Sequence, residues 1–219
     1  MDSRIEEKYI PALRFNFLTR YYDFLVANFL QERKWKSFFV QSFMNKSPHN
    51  ILDVGCGTAT LSILIKQQYP QALVTGIDGD EHILNIAARK IRENNLKIEL
   101  VKGYSYKLPY PDNHFDVVSS SLMLHHLSQE DKHRTIQEVF RVLKPGGEFN
   151  IADWGKPDSR IVRLLFYIVQ FLDGFKTTRD NVKGLIPEYL KENRFSHVNE
   201  LKRYPTLLGS ISIYQAIKS

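Results

Sequence analysis

At 219 residues, with 43% apolar and 25% charged side chains, the chain can bury one full hydrophobic core and has the make-up of a soluble globular protein. Its single cysteine, Cys56, excludes an internal disulfide and gives no sign of an oxidising compartment. The net charge of +6 sits in the flanks, with +3 over residues 1–50, −2 over 51–155 and +5 over 156–219, and no Lys/Arg run of the kind that makes a nucleic-acid tail.

The first residues, Met1 to Glu7, bring no apolar run and no small-residue cleavage site, so the chain reads as cytoplasmic. Residues 1–47 read as a helical, aromatic-rich segment holding Phe15, Phe17, Tyr21, Tyr22, Phe24, Phe29, Trp35, Phe38 and Phe39. Ser47-Pro48-His49-Asn50 is a break. A regular alternation follows: strand 51–54, helix 58–69, strand 72–78, helix 80–94 and strand 97–102. Strand 115–120 comes after the Pro111-Asp112-Asn113 turn, and helix 130–143 ends at Lys144-Pro145-Gly146-Gly147 before strand 148–153. Beyond it, helices are expected over 160–172 and 181–193, then strands 197–204 and 210–218 joined by a short loop. The stretch from Ile161 to Leu172 is the most apolar, yet its 12 residues are too few to span a bilayer. Alternating strands and helices predict an α/β fold, a mostly parallel sheet with helices on both faces, closed by an antiparallel C-terminal hairpin.

The loop Asp53-Val54-Gly55-Cys56-Gly57-Thr58-Ala59 lies between the first strand and the first helix of the alternation. Glycines there allow positive φ and let the backbone approach a ligand. Asp78 ends the next strand, 25 positions after Asp53, where a carboxylate can accept hydrogen bonds from both ribose hydroxyls of a nucleoside. A dinucleotide site would place a third glycine where Thr60 stands, to let a pyrophosphate meet the helix N-terminus. Here an acid, Asp53, precedes the glycines instead. It would repel a pyrophosphate and attract an ammonium group.

Six segments carry a resemblance. They are Asp53-x-Gly55-x-Gly57-x-Ala59, Gly76-Ile77-Asp78, Leu108-Pro109-Tyr110-Pro111-Asp112, Phe115-Asp116-Val117-Val118, Leu124-His125-His126-Leu127 and Arg141-Val142-Leu143-Lys144-Pro145-Gly146-Gly147. In this order the set resembles the class I S-adenosylmethionine-dependent methyltransferases, and within them the branch around the ubiquinone/menaquinone C-methyltransferases (methyltransferase type 11-like). Tyr22-Asp23 followed by Arg33-Lys34-Trp35-Lys36 is similar to the start of that branch. The resemblance implies a Rossmann-like seven-stranded sheet in a single methyltransferase domain. Residues 1–47 would be a cover, 48–155 the cofactor-binding core and 156–219 the substrate-side helices and hairpin.

The resemblance also implies roles. Gly55, Cys56 and Gly57 would line the methionine and ribose of S-adenosylmethionine, with S-adenosylhomocysteine as product. Asp53 would face the amino end, Asp78 and Gly79 the ribose, Tyr104 and Ser105 the adenine. Ser119, read as following the fourth strand, would meet the amino group through its carbonyl, and Tyr22 would lie nearest the donor. Tyr104 stands where many relatives have an acid; it lacks the carboxylate that would accept from the adenine amino group.

His125 and His126 follow the fourth strand, and Asp153 ends the fifth. They read either as a general base and substrate-orienting groups, or as packing and capping residues that shape the loop. Adjacent histidines do not converge on one metal, and no metal is expected. Tyr214 and Lys218 mimic a dehydrogenase pair, but on a strand they would stand roughly 13 Å apart. The loop after the fourth strand, Ser119-Ser120-Ser121-Leu122, lacks the Asn/Asp-Pro-Pro-aromatic pattern of DNA amino-methylating enzymes. The expected function is methyl transfer to a small, lipophilic acceptor such as a quinone precursor, with possible peripheral membrane contact and no nucleic acid. A non-catalytic S-adenosylmethionine-binding or interaction protein, or a nucleic-acid methyltransferase, is the alternative. Leu164, Leu165, Phe166, Ile168, Val169, Phe171 and Leu172 would be core packing or the roof of the acceptor pocket.

Overall fold

The computed structural model describes residues 32–219. Helix α1 (Glu32–Gln41) buries Trp35, Phe39 and Val40, and Phe43 follows just beyond its end. Spacings of four and five put these three side chains on one stripe, and with Phe43 they join Ile51, Leu61 and Tyr69 in the core. The expected cover is therefore, over 32–43, part of the packed body. Residues 1–31, with Tyr22, lie outside the described residues.

The alternation runs β1 (Asn50–Val54), α2 (Thr60–Gln68), β2 (Leu73–Asp78), α3 (Glu81–Glu93), β3 (Glu99–Lys102) and β4 (Phe115–Ser121). A short 3₁₀ turn (Leu124–His126), α4 (Gln129–Val142) and β5 (Leu143–Trp154) come next. Then follow α5 (Arg160–Asp173), α6 (Phe175–Lys183), α7 (Ile186–Glu192), β6 (Phe195–Pro205) and β7 (Ser210–Lys218). The seven strands form one sheet in the order β3-β2-β1-β4-β5-β7-β6. β1 to β5 pair in parallel, while β7 runs antiparallel between β5 and β6. Strand order reverses between β1 and β4, which opens a crevice at the carboxyl ends of those strands.

One sheet face is covered by α1, α2 and α5, through Trp35, Ile65, Phe166 and Val169. The other is covered by α4 and α7, through Ile136, Val139, Ile186 and Leu190. Side-chain caps set three helix starts: Asp80 accepts from the N–H of His82 and Ile83, Ser128 from that of Asp131, and Ser159 from that of Val162. At the base of the sheet the buried Glu148 carboxylate accepts from the N–H groups of Met44 and Asn45 and from Gln215 Nε2. This ties the end of α1 to β5 and β7.

Four expectations are corrected. The helix after the glycine loop begins at Thr60, not Thr58, because Gly57 and Ala59 both take left-handed backbone angles, φ 53° and 59°. Lys144 to Gly147 do end α4, but they already belong to β5, which pairs through a register shift between Phe115 and Val117. The helix expected over 181–193 is two helices, because Gly184 turns left-handed at φ 74° and Pro187 opens α7. Ser119 sits inside β4, paired with Asp53, and the strand continues to Ser121.

Candidate active site

The glycine loop turns sharply at the carboxyl edge of β1. The N–H groups of Gly55 and Cys56 both donate to the Ile77 carbonyl, at 2.9 and 3.1 Å. Gly55 has φ 70°, and a Cβ there would lie 2.3 Å from Met123 Cγ, so only glycine meets both demands. A Cβ on Gly57 would meet nothing within 4 Å; the loop faces open space there. Cys56 is buried, and its thiol is pushed up chiefly by burial and then by the Asp53 and Asp78 charges, which leaves it an inert small residue.

Asp53 and Asp78 bracket this loop. The Gly57 N–H donates to Asp78 Oδ2 at 2.9 Å, and the Asp80 N–H to Asp78 Oδ1 at 3.0 Å. Each oxygen of that half-buried carboxylate keeps lone-pair capacity for a further donor. Asp53 is wholly buried and accepts from Ser62 Oγ at 2.6 Å and Ser119 Oγ at 3.2 Å. Burial pushes its carboxyl up to about 6, against the two hydroxyl bonds and the Lys36 charge, which pull it down. It is a desolvated acid with too little positive charge around it. An open glycine loop, a clasped acid with spare acceptors and an under-compensated buried acid fit a nucleoside with a cationic amino end.

Past β3, a cavity of about 430 Å³ is lined by Lys102, Gly103, Tyr104, Lys107, Leu108 and Pro109. Tyr104 stacks on Tyr106, with ring centroids 5.3 Å apart, and Ser105 Oγ bonds Thr135 Oγ1 at 2.8 Å. The Ser105 side chain is thus tied to α4. Gly79 follows Asp78 in the turn that leads into α3.

The two histidines behave differently. His125 is buried, with Nδ1 2.6 Å from Asp153 Oδ1 and Nε2 3.7 Å from Asp173 Oδ2. Burial opposes its charge, but Asp153, their hydrogen bond and Asp173 outweigh burial and raise its pKa. Asp153 also accepts from the N–H groups of His125 and Trp154. Three bonds thus tie this buried carboxylate to its own neighbours. The His126 ring packs against that of His125 at a tilt of 42°, centroids 3.9 Å apart, and is partly exposed. Burial first, then the His125 and Lys132 charges, hold its pKa well below the ordinary value, so its imidazole is neutral at physiological pH. Sequence reasoning missed Met123, Lys36, Ser62 and Asp173, which close the loop, balance Asp53 and complete the His125 cage. Lys36 lies in a segment similar to the family branch but with no role implied, and no motif marks the other three; their roles appear only when distant elements meet. Among the described residues no group of His, Cys, Asp and Glu could hold a metal ion.

Residues 51–147 match a family model described as a methyltransferase domain. A demethylmenaquinone methyltransferase of Listeria monocytogenes is 35% identical over 135 residues, which are 61% of this chain and 56% of the relative's length. The chain thus spans little more than half of that relative. A demethylmenaquinone methyltransferase of Lactobacillus johnsonii is 31% identical over 169 residues, 75% of this chain and 68% of that protein. The chain belongs to the class I S-adenosylmethionine-dependent methyltransferases, in the branch of these two relatives. A solved S-adenosylmethionine-dependent methyltransferase from Aquifex aeolicus shares the family fold, with TM-score 0.67, 20% identity, and coverage of 97% of this chain and 100% of that one. The glycine loop, Asp78 and Met123 thus meet at the carboxyl edge of β1.

Proposed function

We propose that this chain transfers a methyl group from S-adenosylmethionine to a lipophilic acceptor of the quinone-precursor kind. The observation that carries the donor half is the clasp of the Gly57 N–H on Asp78 beneath an open glycine loop. The acceptor class rests on the relatives, whose names specify demethylmenaquinone. Asp78 would hold the ribose hydroxyls, Gly55 and Gly57 would admit the ligand close to the backbone, and Asp53 would supply the field that favours its amino end. The walls past β3, with Tyr104 and Leu108, would receive the adenine.

S-adenosylmethionine, when bound, supplies a methyl group already activated on a sulfonium. The protein's share is therefore to align the acceptor and exclude water. Where the acceptor must lose a proton, we assign that proton to His126. Its ring is neutral and partly exposed, and none of its nitrogens is engaged in a hydrogen bond among the described residues. His125, caged by Asp153 and Asp173, would position it through their ring contact. This splits the expected trio: His126 would meet the acceptor, while His125 and Asp153 act through it.

The test is methyl transfer by the full chain from labelled donor to a graded set of acceptors, from demethylated naphthoquinols to small hydrophilic phenols and amines. Turnover should rise with acceptor hydrophobicity. His126→Gln should lower kcat about a hundredfold, the lower end of the range for proton-transfer catalysis, while leaving S-adenosylhomocysteine affinity unchanged. A hydrophilic acceptor that turns over best would overturn the acceptor reading. An unaltered kcat in His126→Gln with a phenolic acceptor would overturn the base assignment.

A further inference from the structure

Helix α5 is amphipathic in an inverted sense. Phe166 and Val169 on its inner face are fully buried beneath Trp154 and the sheet core. Its outer face should then be polar, yet Ile161, Leu164, Ile168 and Phe171 stand exposed at 73%, 67%, 51% and 79%. Tyr167 and, on α6, Phe175 continue the same surface, with their rings 6.2 Å apart. Six of the ten large exposed apolar side chains among the described residues fall on this one segment. A contiguous apolar patch of this kind marks an interaction site.

The solvent-facing charges on α5 and α6 are all of one sign, and of the exposed acids that flank them Asp158 is paired with Arg203 and Glu188 lies on α7. Arg160, Lys176, Arg179 and Lys183 are exposed, and the Arg163 guanidinium lies 4.3 Å over the Tyr167 ring. None of these five makes an ion pair with the described residues. The acids of the same stretch, Asp173 and Asp180, are turned inward, toward His125 and Lys132. The outer surface of residues 159–187 therefore carries five cations and no exposed anion.

We propose that the outer face of α5 and α6 docks on an anionic lipid bilayer, lying in the plane of the headgroups. The proposal deepens the lipophilic-acceptor reading by naming where such an acceptor would be met. An apolar stripe with a cationic border suits that surface: the stripe enters the acyl boundary while Lys and Arg reach the headgroups. No described helix is long and apolar enough to cross a membrane, so the contact is peripheral. Charge selects this occupant over two others. A second copy docked by the same face would bring five cations against five. Residues 1–31 carry four acids and four bases, and so offer no net charge to match.

The test is co-flotation of the full chain with vesicles of phosphatidylcholine, alone or with phosphatidylglycerol, and with neither acceptor nor methyl donor present. Leaving both out keeps its failure separate from failure of the acceptor reading. Partitioning should be at least tenfold stronger on the anionic vesicles and should weaken with salt. Arg179→Ala should reduce it about fivefold, as expected for roughly one headgroup attraction. The double change Ile168→Ser, Phe171→Ser should reduce it at least tenfold with an unaltered unfolding midpoint. An environment-sensitive dye on Leu164→Cys, selective because Cys56 is buried, should shift to the blue only with anionic vesicles. Equal or absent binding to both vesicle types would overturn the proposal. So would a dye already shifted without vesicles, because protein would then cover the stripe; sedimentation velocity would tell a second copy from the chain's own segment.

Discussion

Replacing Asp53 by Asn should make the ligand-free protein more stable at pH 8 and a poorer binder of S-adenosylhomocysteine. The carboxyl is fully buried, and its pKa rises from 3.8 to about 6. A rise of about two units corresponds to roughly 3 kcal/mol of cost for holding the charge. The folded carboxyl keeps its proton to a higher pH than the unfolded one. Wild-type stability therefore falls as pH climbs from about 4 to about 6, and the loss is complete above that range. Asn carries no such loss, but its bonds to Ser62 and Ser119 are weaker than those of a carboxylate. The net gain should be about 1–2 kcal/mol at pH 8, or roughly 2–8 °C for a chain of this size, shrinking toward zero as pH approaches 4. Urea titrations of both proteins between pH 5 and pH 8 would measure it, and calorimetry at pH 8 would give the affinity. A variant less stable than wild type at pH 8, or a difference independent of pH, would refute the claim that Asp53 is a buried charge without adequate partners.

Asp78→Ala should weaken S-adenosylhomocysteine at least tenfold by calorimetry, since each hydrogen bond to a charged group contributes about 1.5–3 kcal/mol; an unchanged affinity would remove the ribose assignment. Gly55→Ala should destabilise the fold by roughly 1–3 kcal/mol, because φ is 70° and Met123 Cγ would sit 2.3 Å from the new carbon. Adding Met123→Ala should recover part of that loss in thermal unfolding; no recovery would leave backbone strain alone as the cause. Asp173→Asn should bring the raised His125 pKa down in an NMR titration. The stability His125 contributes is present below its unfolded pKa and is lost as pH rises through the folded value, so this variant should lose it at lower pH. An unmoved titration would take Asp173 out of the cage.

The legible parts of this chain were those where chemistry is local. Period-two and period-3.6 patterns placed β1 to β4 and α2 to α4 to within about two residues, and Ser210–Lys218 was read with its observed bounds. The glycine loop and Asp78 could be read because a strand, two glycines and an acid at fixed spacing leave few other solutions. The misses were contests between local and longer-range effects. Ala59 carries no mark that it will turn left-handed, and Gly184 divides a stretch whose apolar spacing suits one helix. Trp35 and Phe39 looked like cover residues because aromatic content does not reveal which sheet face they will meet. The end of a strand at the crevice suggests, from sequence, that Asp153 faces it. Its true partner, His125, is fixed by a turn 28 positions earlier, and a further acid arrives from the end of α5.

Two buried acids near the carboxyl edge of the sheet show how structure separates binding from support. Asp153 is as deeply buried as Asp53, but it faces a histidine 2.6 Å away and two N–H groups. Its charge is answered within the fold. Asp53 has only two hydroxyls and the more remote Lys36, and its pKa climbs. Under the proposed donor site, a cationic ligand group beside the glycine loop would offset that cost. The same reasoning reaches α5, whose outward apolar stripe costs solubility in the free protein and is relieved only when something apolar covers it. Unanswered charge at Asp53 and unanswered apolar surface at Phe171 thus point to two different partners. In the two proposals, one would be a small cation-bearing donor inside the crevice, and the other an extended anionic lipid surface outside it.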